Sequence, residues 1–491
     1  MRRTFLALRN RNFRLFFVGQ LISNTGNWLT NVALTLLVLK LTGSGLSVGV
    51  LASFQFGPIL LLSAWAGAIA DRSDKRRLLL VTQSLEMAQS VGLAVLAFLP
   101  HPPLAGLYAL AACGGILLAF DNPLRRSFVT EMVRAEDIPN AVVLYSTIVN
   151  LSRLFGPALA GLLVVTVGYG WCFTIDAGSY LAVLVCLLLM RPGELHRRPP
   201  EPRARGAVRE GLRYLRSVPT LWISFAMLGA IGTLSYNFGV TLPLFVTRAL
   251  HSSEGTFTVL YSVFSLGAVV ASLVVARRGL VRLRHIILGA AALGLTMVLL
   301  AATPNVAAAV PVVFLVGTAS ILYLTATTAI VQVEARPEMH GRVLSLQTVV
   351  LIGTVPVGGP FLGWLADTLG GRAPLVAGGV VSLLAAVFGW WASRRSAGAE
   401  VDLDDGQRRG GLIAVGDREG EGPRALRWRR PKAELMDTDE TAAAARRTGR
   451  LVGGAGVVGH PPVEVDQTPW PRRLLGQQRV AQVEPPRPEL Q

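Results

Sequence analysis

The chain has 491 residues, 52% of them hydrophobic and only 16% charged. Soluble domains carry roughly 25% charged residues, so this composition excludes a water-soluble globular protein. A net charge of +17 would suit a nucleic-acid binder only if the basic residues gathered on one soluble face within a recognisable module; here they sit between apolar runs.

Twelve such runs lie near 13–39, 46–70, 77–99, 104–124, 140–166, 171–190, 218–247, 255–276, 284–303, 306–331, 342–369 and 373–393. Crossing a hydrocarbon core of about 30 Å takes roughly 20 residues, and each run has that reach. The first is too long for a signal peptide and has no small-residue cleavage site. Up to residue 393 there are 30 Lys and Arg. Of these, 26 precede the first run or lie in the even-numbered loops, 3 (Lys40, Arg248, Arg372) lie in odd-numbered loops, and Arg153 lies inside a run. Basic residues accumulate on the cytoplasmic side of a bilayer. The expectation is therefore a multi-pass plasma-membrane protein with both termini in the cytoplasm.

The second half repeats the first at an offset of 203 to 206 residues. Ser23 to Asn27, with Asn31 and Thr35, is answered by Gly232, Thr233, Asn237 and Thr241; Arg72 and Arg76 by Arg278 and Arg282; Gly156-Pro157 by Gly359-Pro360. A parallel repeat of six spans places a substrate site at the seam between halves. The fold class expected is all-α: two pseudo-symmetric six-helix bundles, residues 1–190 and 218–393, joined by a basic linker, 191–217. Residues 208–216 of that linker read as a helix lying on the membrane surface, apolar on one side and Arg-rich on the other. Residues 394–491 carry 17 basic and 15 acidic residues, many Gly and Pro, and no apolar period, a composition that favours disorder. It is also what a frame-shifted GC-rich gene would encode.

The first run has a polar stripe. Gln20, Asn24, Asn27, Asn31 and Thr35 fall within about 80° of one helix face. An amide facing lipid costs several kcal/mol, so the stripe faces protein or water. It reads as the wall of a polar cavity, with interhelical hydrogen bonding as the plainer alternative. Thr233, Tyr236, Asn237 and Thr241 form the counterpart stripe in run seven. Arg153 sits near the middle of run five and needs an interior partner, Asp121 or Asp176 being candidates; it reads as a binding or coupling charge. Glu86 and Asp176 are the carboxylates placed to carry a proton across. Cys113, Cys172 and Cys186 have no metal-ligand spacing and read as small buried hydrophobes. There is no G-x-x-x-x-G-K-[ST] motif, no His/Cys cluster and no nucleophile–base set, so no enzyme, cofactor or metal is expected.

The loop after run two reads Gly67-Ala-Ile-Ala-Asp71-Arg72-Ser73-Asp74-Lys75-Arg76-Arg77. It resembles the G-x-x-x-D-R-x-G-R-R signature of the major facilitator superfamily, with Asp74 where Gly is usual. Gly156-Pro157-Ala-Leu-Ala160-Gly161 resembles the helix-five pattern of the superfamily's antiporters. Ser23-Asn-Thr-Gly-Asn-Trp-Leu29 and Asp121-Asn-Pro-Leu-Arg-Arg-Ser127 look like its exporter branch, which includes enterobactin exporters and macrolide efflux proteins. The resemblance covers roughly residues 5–393. It implies two bundles rocking about a central cavity, a cytoplasmic gate at Gly67, Asp71, Arg72 and Arg76, and helix seams at Gly156, Pro157, Gly161, Gly359 and Pro360. Two departures accompany it. Asn27 stands where exporters of this branch often carry Asp, and the Arg that drug antiporters place in span four has no counterpart within 104–124, unless Arg153 serves instead.

The expected function is export of a small organic molecule (a drug, siderophore or secondary metabolite) by alternating access, as a monomer and in exchange for protons. Nutrient uptake by symport and a non-transporting sensor or scaffold are the alternatives. Gln20, Asn24, Asn27, Asn31, Thr233, Tyr236 and Asn237 are the expected cavity residues.

Overall fold

The computed structural model describes residues 5–196, 207–278 and 282–413. Every long element among them is helical. In chain order these are α1 (Arg11–Thr42), α2 (Gly45–Arg72), α3 (Lys75–Phe98), α4 (Leu104–Val129), α5 (Ile138–Thr166) and α6 (Tyr169–Leu188), then a short α7 (Ala207–Ser217). There follow α8 (Pro219–Leu234), α9 (Phe238–Leu244), α10 (Glu254–Arg278), α11 (Leu283–Ala302), α12 (Val306–Glu334), α13 (His340–Gly353), α14 (Val355–Leu369) and α15 (Ala373–Ile413). Among the described residues, ten stretches are long and apolar enough to cross a membrane. The amide stripe keeps α1 out of that set, and in α5 only Phe155–Thr166 is recorded, as a shorter apolar helix.

Local chemistry sets the helix ends. Gly43 closes α1 in the left-handed conformation, φ 60°, with its N–H bonded to the Leu39 carbonyl. Gly adopts that conformation without a Cβ clash. Ser44 then caps α2, its hydroxyl accepting from the Ser47 N–H. Asp74 caps α3 by accepting from the Arg77 N–H. An Asp at that loop position therefore has a structural use, because a carboxylate satisfies an orphan helix donor and favours the positive end of the dipole.

The structure departs from the sequence expectation in five places. Run four does not stop at 124: α4 continues to Val129 and carries Arg125 into the bundle. Run seven is two helices broken at Ser235–Asn237, and run eleven two helices broken at Thr354 before Pro356. The last helix does not end at 393 but continues to Ile413. Lastly, α7 does not lay its apolar face in lipid. Gly211 and Leu215 are buried and α7 packs on α13, with Glu210 paired to Arg342 at 2.7 Å. The remainder of the linker, 197–206, and of the tail, 414–491, lies outside the described residues.

Packing falls into two sets. In the first, α1 lies against α5 and α6, α3 against α4 and α6, and α2 against α4. In the second, α12 lies against α10 and α11, and α15 against α8 and α11. The sets meet chiefly where α2 crosses α14 and α5 crosses α10. Small residues permit both crossings: Gly45 and Gly49 abut Gly363 and Gly359, and a Cβ on Gly161 would overlap the Thr258 side chain. Close backbone approach at small residues is a main source of association between helices in lipid.

Asp176, on α6, fastens three helices of the first set. It is fully buried and accepts from Thr30 of α1 at 2.6 Å, Ser90 of α3 at 2.7 Å and Ser179 of its own helix at 3.3 Å. Removing an acceptor strands buried hydroxyls, at about 1–3 kcal/mol. Asp176→Ala is therefore expected to lower the unfolding midpoint of the purified protein, while Asp176→Asn, which keeps an acceptor oxygen, loses less. Equal midpoints for Asp176→Ala and the parent protein would remove this fastening role.

Candidate functional site

The stripe on α1 divides into two parts with different uses. Its later residues, Asn27, Asn31 and Thr35, line a cavity of about 430 Å³. Each of them, bar Asn27, bonds back along its own helix: Asn31 donates to the Asn27 carbonyl at 2.8 Å and Thr35 to the Asn31 carbonyl at 2.9 Å. Bonding back this way gives the Asn31 and Thr35 side chains a partner while they line the cavity. Gln55 of α2, Glu86 and Gln89 of α3 and Tyr180 of α6 add further polar groups to the first set's share of the lining. The second set supplies Tyr236 and Asn237, at the α8–α9 break, and Phe257 and Tyr261 of α10. Trp28 of α1 packs on Tyr261 with ring centroids 6.3 Å apart, so aromatic faces of both sets meet at the cavity wall.

The earlier residues of the stripe serve a charge cluster instead. Gln20 is buried and accepts from the Arg125 guanidinium at 2.7 Å; Asn24 donates to the Gln20 carbonyl at 2.8 Å and side chain at 3.3 Å. Arg125 pairs with Asp121, one turn back on α4, and with Glu86 of α3 at 3.4 Å. Gln83 donates to Glu86 at 2.7 Å and to Asp121 at 2.8 Å. Arg125, Asp121 and Glu86 are all buried. Removing one partner of such a cluster leaves an uncompensated buried charge, which costs about 3–5 kcal/mol. One guanidinium faces two carboxylates, so gain or loss of a single proton changes the cluster's net charge, and Glu86 belongs to both the cluster and the cavity wall.

This corrects the expectation that span four lacks an Arg. Arg125 fell outside the apolar run, and its helix extends because Asp121 meets its charge at i−4. Asp121 accordingly partners Arg125. The Arg153 side chain lies outside the described residues. Thr233 donates to the Gly229 carbonyl at 2.6 Å, and its carbonyl accepts from Asn237 at 2.7 Å; it is absent from the lining. Thr241 is buried.

One end of the bundle is closed by contacts between the sets. Asp367 of α14 accepts from the Gly45 N–H at 2.7 Å, the Leu46 N–H at 2.9 Å and the Ser44 hydroxyl at 2.8 Å. The positive end of α2 is thus held by a carboxylate of the other set. Arg248 pairs with Asp367 at 2.7 Å and bonds the Gly43 carbonyl. Nearby, the Tyr169 hydroxyl donates to Glu254 at 2.6 Å, and Lys40 sits 5.2 Å over the Tyr169 ring. At the other end, Arg76 donates to the Leu187 and Leu188 carbonyls at 2.9 and 3.2 Å, which ties α3 to the C-terminus of α6. Gly67 is buried and Arg72 exposed; the Asp71 side chain lies outside the described residues. At the seams, Gly156 abuts Trp28, while Pro157 and Pro360 sit inside α5 and α14.

Sequence reasoning missed Arg125, Gln55, Gln89, Tyr180, Arg248 and Asp367. Two signals were available. Asp121 and Arg125 are spaced i, i+4, and Gly363-x-x-x-Asp367 repeats the Gly67-x-x-x-Asp71 spacing. Among the described residues no group of three His, Cys, Asp or Glu side chains is arranged to hold a metal ion.

The chain is 26% identical to a staphyloferrin A transporter of Staphylococcus aureus over 369 residues, 73% of this chain and 90% of the relative. It is 25% identical to the enterobactin exporter EntS of Salmonella typhimurium over 362 residues, 72% and 85% of the two chains. Among solved structures, it superposes on a bacterial homologue of the human lysosomal transporter Spinster with a TM-score of 0.62 at 17% identity, covering 78% of this chain and 97% of the other. With the POT family transporter PepTSo the TM-score is 0.65 at 13% identity, covering 79% and 98%; likenesses at such identity establish the fold alone. Residues 3–409 match the family described as transmembrane secretion effector, and the chain belongs to that family of major facilitator membrane transporters.

Proposed function

We propose that the protein exports a small organic molecule of siderophore type across the plasma membrane by alternating access, in exchange for protons. The observation that carries this reading is the cavity walled by both helix sets, with the buried Glu86–Arg125–Asp121 cluster on one side and an inter-set clasp beyond one end. Relatives named for staphyloferrin A and enterobactin supply the ligand class.

In this reading α1 and α5 join the ten apolar stretches as membrane spans, giving twelve in two six-helix bundles, 1–190 and 218–393. Both are long enough, at 32 and 29 residues. Charge asymmetry places the termini in the cytoplasm, so the Asp367 clasp faces outside. The three basic residues of the outer loops then each have a defined use: Arg248 in the clasp, Lys40 over Tyr169, and Arg372 donating to the Ala301 carbonyl at 2.6 Å. The carrier works as a monomer, and truncation after about residue 395 leaves transport intact.

Glu86 is the proton carrier and Arg125 the cation that answers it. A proton on Glu86 frees Arg125 for Asp121 and Gln20; its loss restores the Glu86–Arg125 pair and draws α3 to α4. Asp176 is assigned to scaffold, since three hydroxyls already hold its carboxylate. Asn27, Asn31, Tyr236 and Asn237 bind the substrate's oxygens and amides, with Trp28 and Tyr261 on its rings. The outward-open state requires breaking the Asp367 clasp and forming the opposing gate at Asp71 and Arg72.

The central test uses inside-out vesicles holding the full chain under an inward-acidic pH gradient, with catecholate and carboxylate siderophores added outside. The expected result is substrate-triggered proton loss from the lumen, abolished in Glu86→Gln. Accumulation of labelled siderophore with no proton movement would end the coupling assignment, and efflux rather than entry of label would reverse the direction.

The clasp has its own test in a background with Cys113, Cys172 and Cys186 replaced by Ser. A Cys at Asn27 should react with a polar thiol reagent, and more from the outer side when Asp367→Asn weakens the clasp. Charge-assisted hydrogen bonds contribute about 1.5–3 kcal/mol each, so losing one raises outer-side labelling roughly tenfold or more. A Cys at Asn27 unreactive in both backgrounds would show that the stripe does not meet water.

A further inference from the structure

The α7 helix is held rigidly and still presents charge. Its buried face, Gly211 and Leu215, packs on α13. Two polar contacts fix it: Glu210 to Arg342 at 2.7 Å, and the Arg336 N–H donating to the Tyr214 hydroxyl at 3.0 Å. The other face carries Arg209, Arg213 and Arg216, all exposed. At 100° per residue their i, i+4, i+7 spacing keeps the three guanidiniums within about 60° of one another. Arg209 and Arg213 have no ion-pair partner among the described residues. Three like charges in a row, two of them without an ion-pair partner among the described residues, are unfavourable unless an anion lies beside them.

The position of the stripe names the anion. Arg216 sits 6.0 Å over the ring of Trp222, one turn into the span begun by α8, and Trp222 is 43% exposed on the outer surface of the bundle. Trp at that depth marks the headgroup level of a bilayer. Leu212, on the flank of the Arg stripe, is also exposed, and an apolar side chain among arginines fits the boundary between headgroups and acyl chains. We propose that the Arg209–Arg213–Arg216 face of α7 is a binding site for the phosphate headgroups of anionic phospholipid, in the leaflet that contacts the start of α8.

The site has a route to the transport cycle. Through Glu210 and Tyr214, α7 is tied to the start of α13, which breaks from α14 at Thr354; Ile352 and Val355 line the cavity beside that break. Lipid held on α7 therefore anchors one half of a broken span at the membrane surface. Only the naming of the leaflet as cytoplasmic rests on the proposed topology. Lipid binding itself stands or falls without transport.

The experiment is lipid retention by native mass spectrometry on the full chain, purified in detergent and offered phosphatidylglycerol and phosphatidylcholine in equal amounts. The wild type should retain phosphatidylglycerol preferentially. Each basic residue near an anionic surface contributes about fivefold in affinity, so Arg213→Gln should reduce retention severalfold. The combined R209Q, R213Q and R216Q variant should abolish the preference, with a circular dichroism spectrum and unfolding midpoint like the parent's; replacing all three by Lys should preserve it. Equal retention of both lipids by the wild type, or an unchanged preference in the Gln variant, overturns the proposal. Displacement of phosphatidylglycerol by millimolar inorganic phosphate would also overturn it, since the site would then take a soluble anion.

Discussion

Hydrocarbon offers no hydrogen bonds, and that one constraint organises this molecule. Each polar side chain within a span must meet another side chain, a backbone carbonyl or water inside the bundle. Asp176 meets three hydroxyls from its own helix and two others. Arg125 meets two carboxylates and an amide. Asn31 and Thr35 fold back onto their own helix and leave their outer surface to the cavity. A cavity in this setting is the place where polar groups remain once pairing within the bundle has been satisfied, and it collects at the meeting of the two sets.

The contacts within each set and those between them differ in kind. Within the first set, buried charge and hydroxyl networks lock α1, α3, α4 and α6 to one another, and dismantling them strands charges at several kcal/mol each. Between the sets, α2 and α14 meet through Gly45, Gly49, Gly359 and Gly363, which gain close dispersion contact but bury no charge. Of the polar contacts that cross, those around Asp367 and Glu254 lie at one end, while the Ser53 hydroxyl donates to the Pro356 carbonyl at 2.7 Å along the α2–α14 crossing itself. The proposed rocking keeps the bonds within each set and breaks the clasp and the Ser53–Pro356 hydrogen bond between them. The breaks at Ser235–Asn237 and Thr354 fall beside the cavity, where irregular backbone is tolerated in a membrane because it lines polar space.

Glu86 joins the two physical themes. It belongs to the locked network through Arg125 and Gln83, and it forms part of the cavity wall. Under the proposed coupling, a change in the charge of Glu86 redistributes Arg125 among Asp121, Gln20 and Glu86. Asn27 of α1 lines the same cavity as Glu86 of α3.

Sequence alone determined the class of molecule, since length of apolar run and placement of Lys and Arg follow directly from bilayer thickness and charge cost. It determined the repeat, most helix ends, and a polar face on α1, because a 3.6-residue period is visible without knowing what it faces. It did not determine how that face divides, with Gln20 and Asn24 given to Arg125 and Asn27 and Asn31 to the cavity, because this depends on which helices cross α1 at which height. Arg125 was hidden because hydropathy ends a span at the first charge, whereas the folded bundle extends it when Asp121 and Glu86 lie within reach. The Gly-x-x-x-Asp repeat marks Asp367 in the sequence but not its partners, which are the N–H groups of Gly45 and Leu46, over 300 residues away; backbone donors leave no mark there. Periodicity fixes what each helix is; only the crossing of helices decides which charges become partners and which become a site.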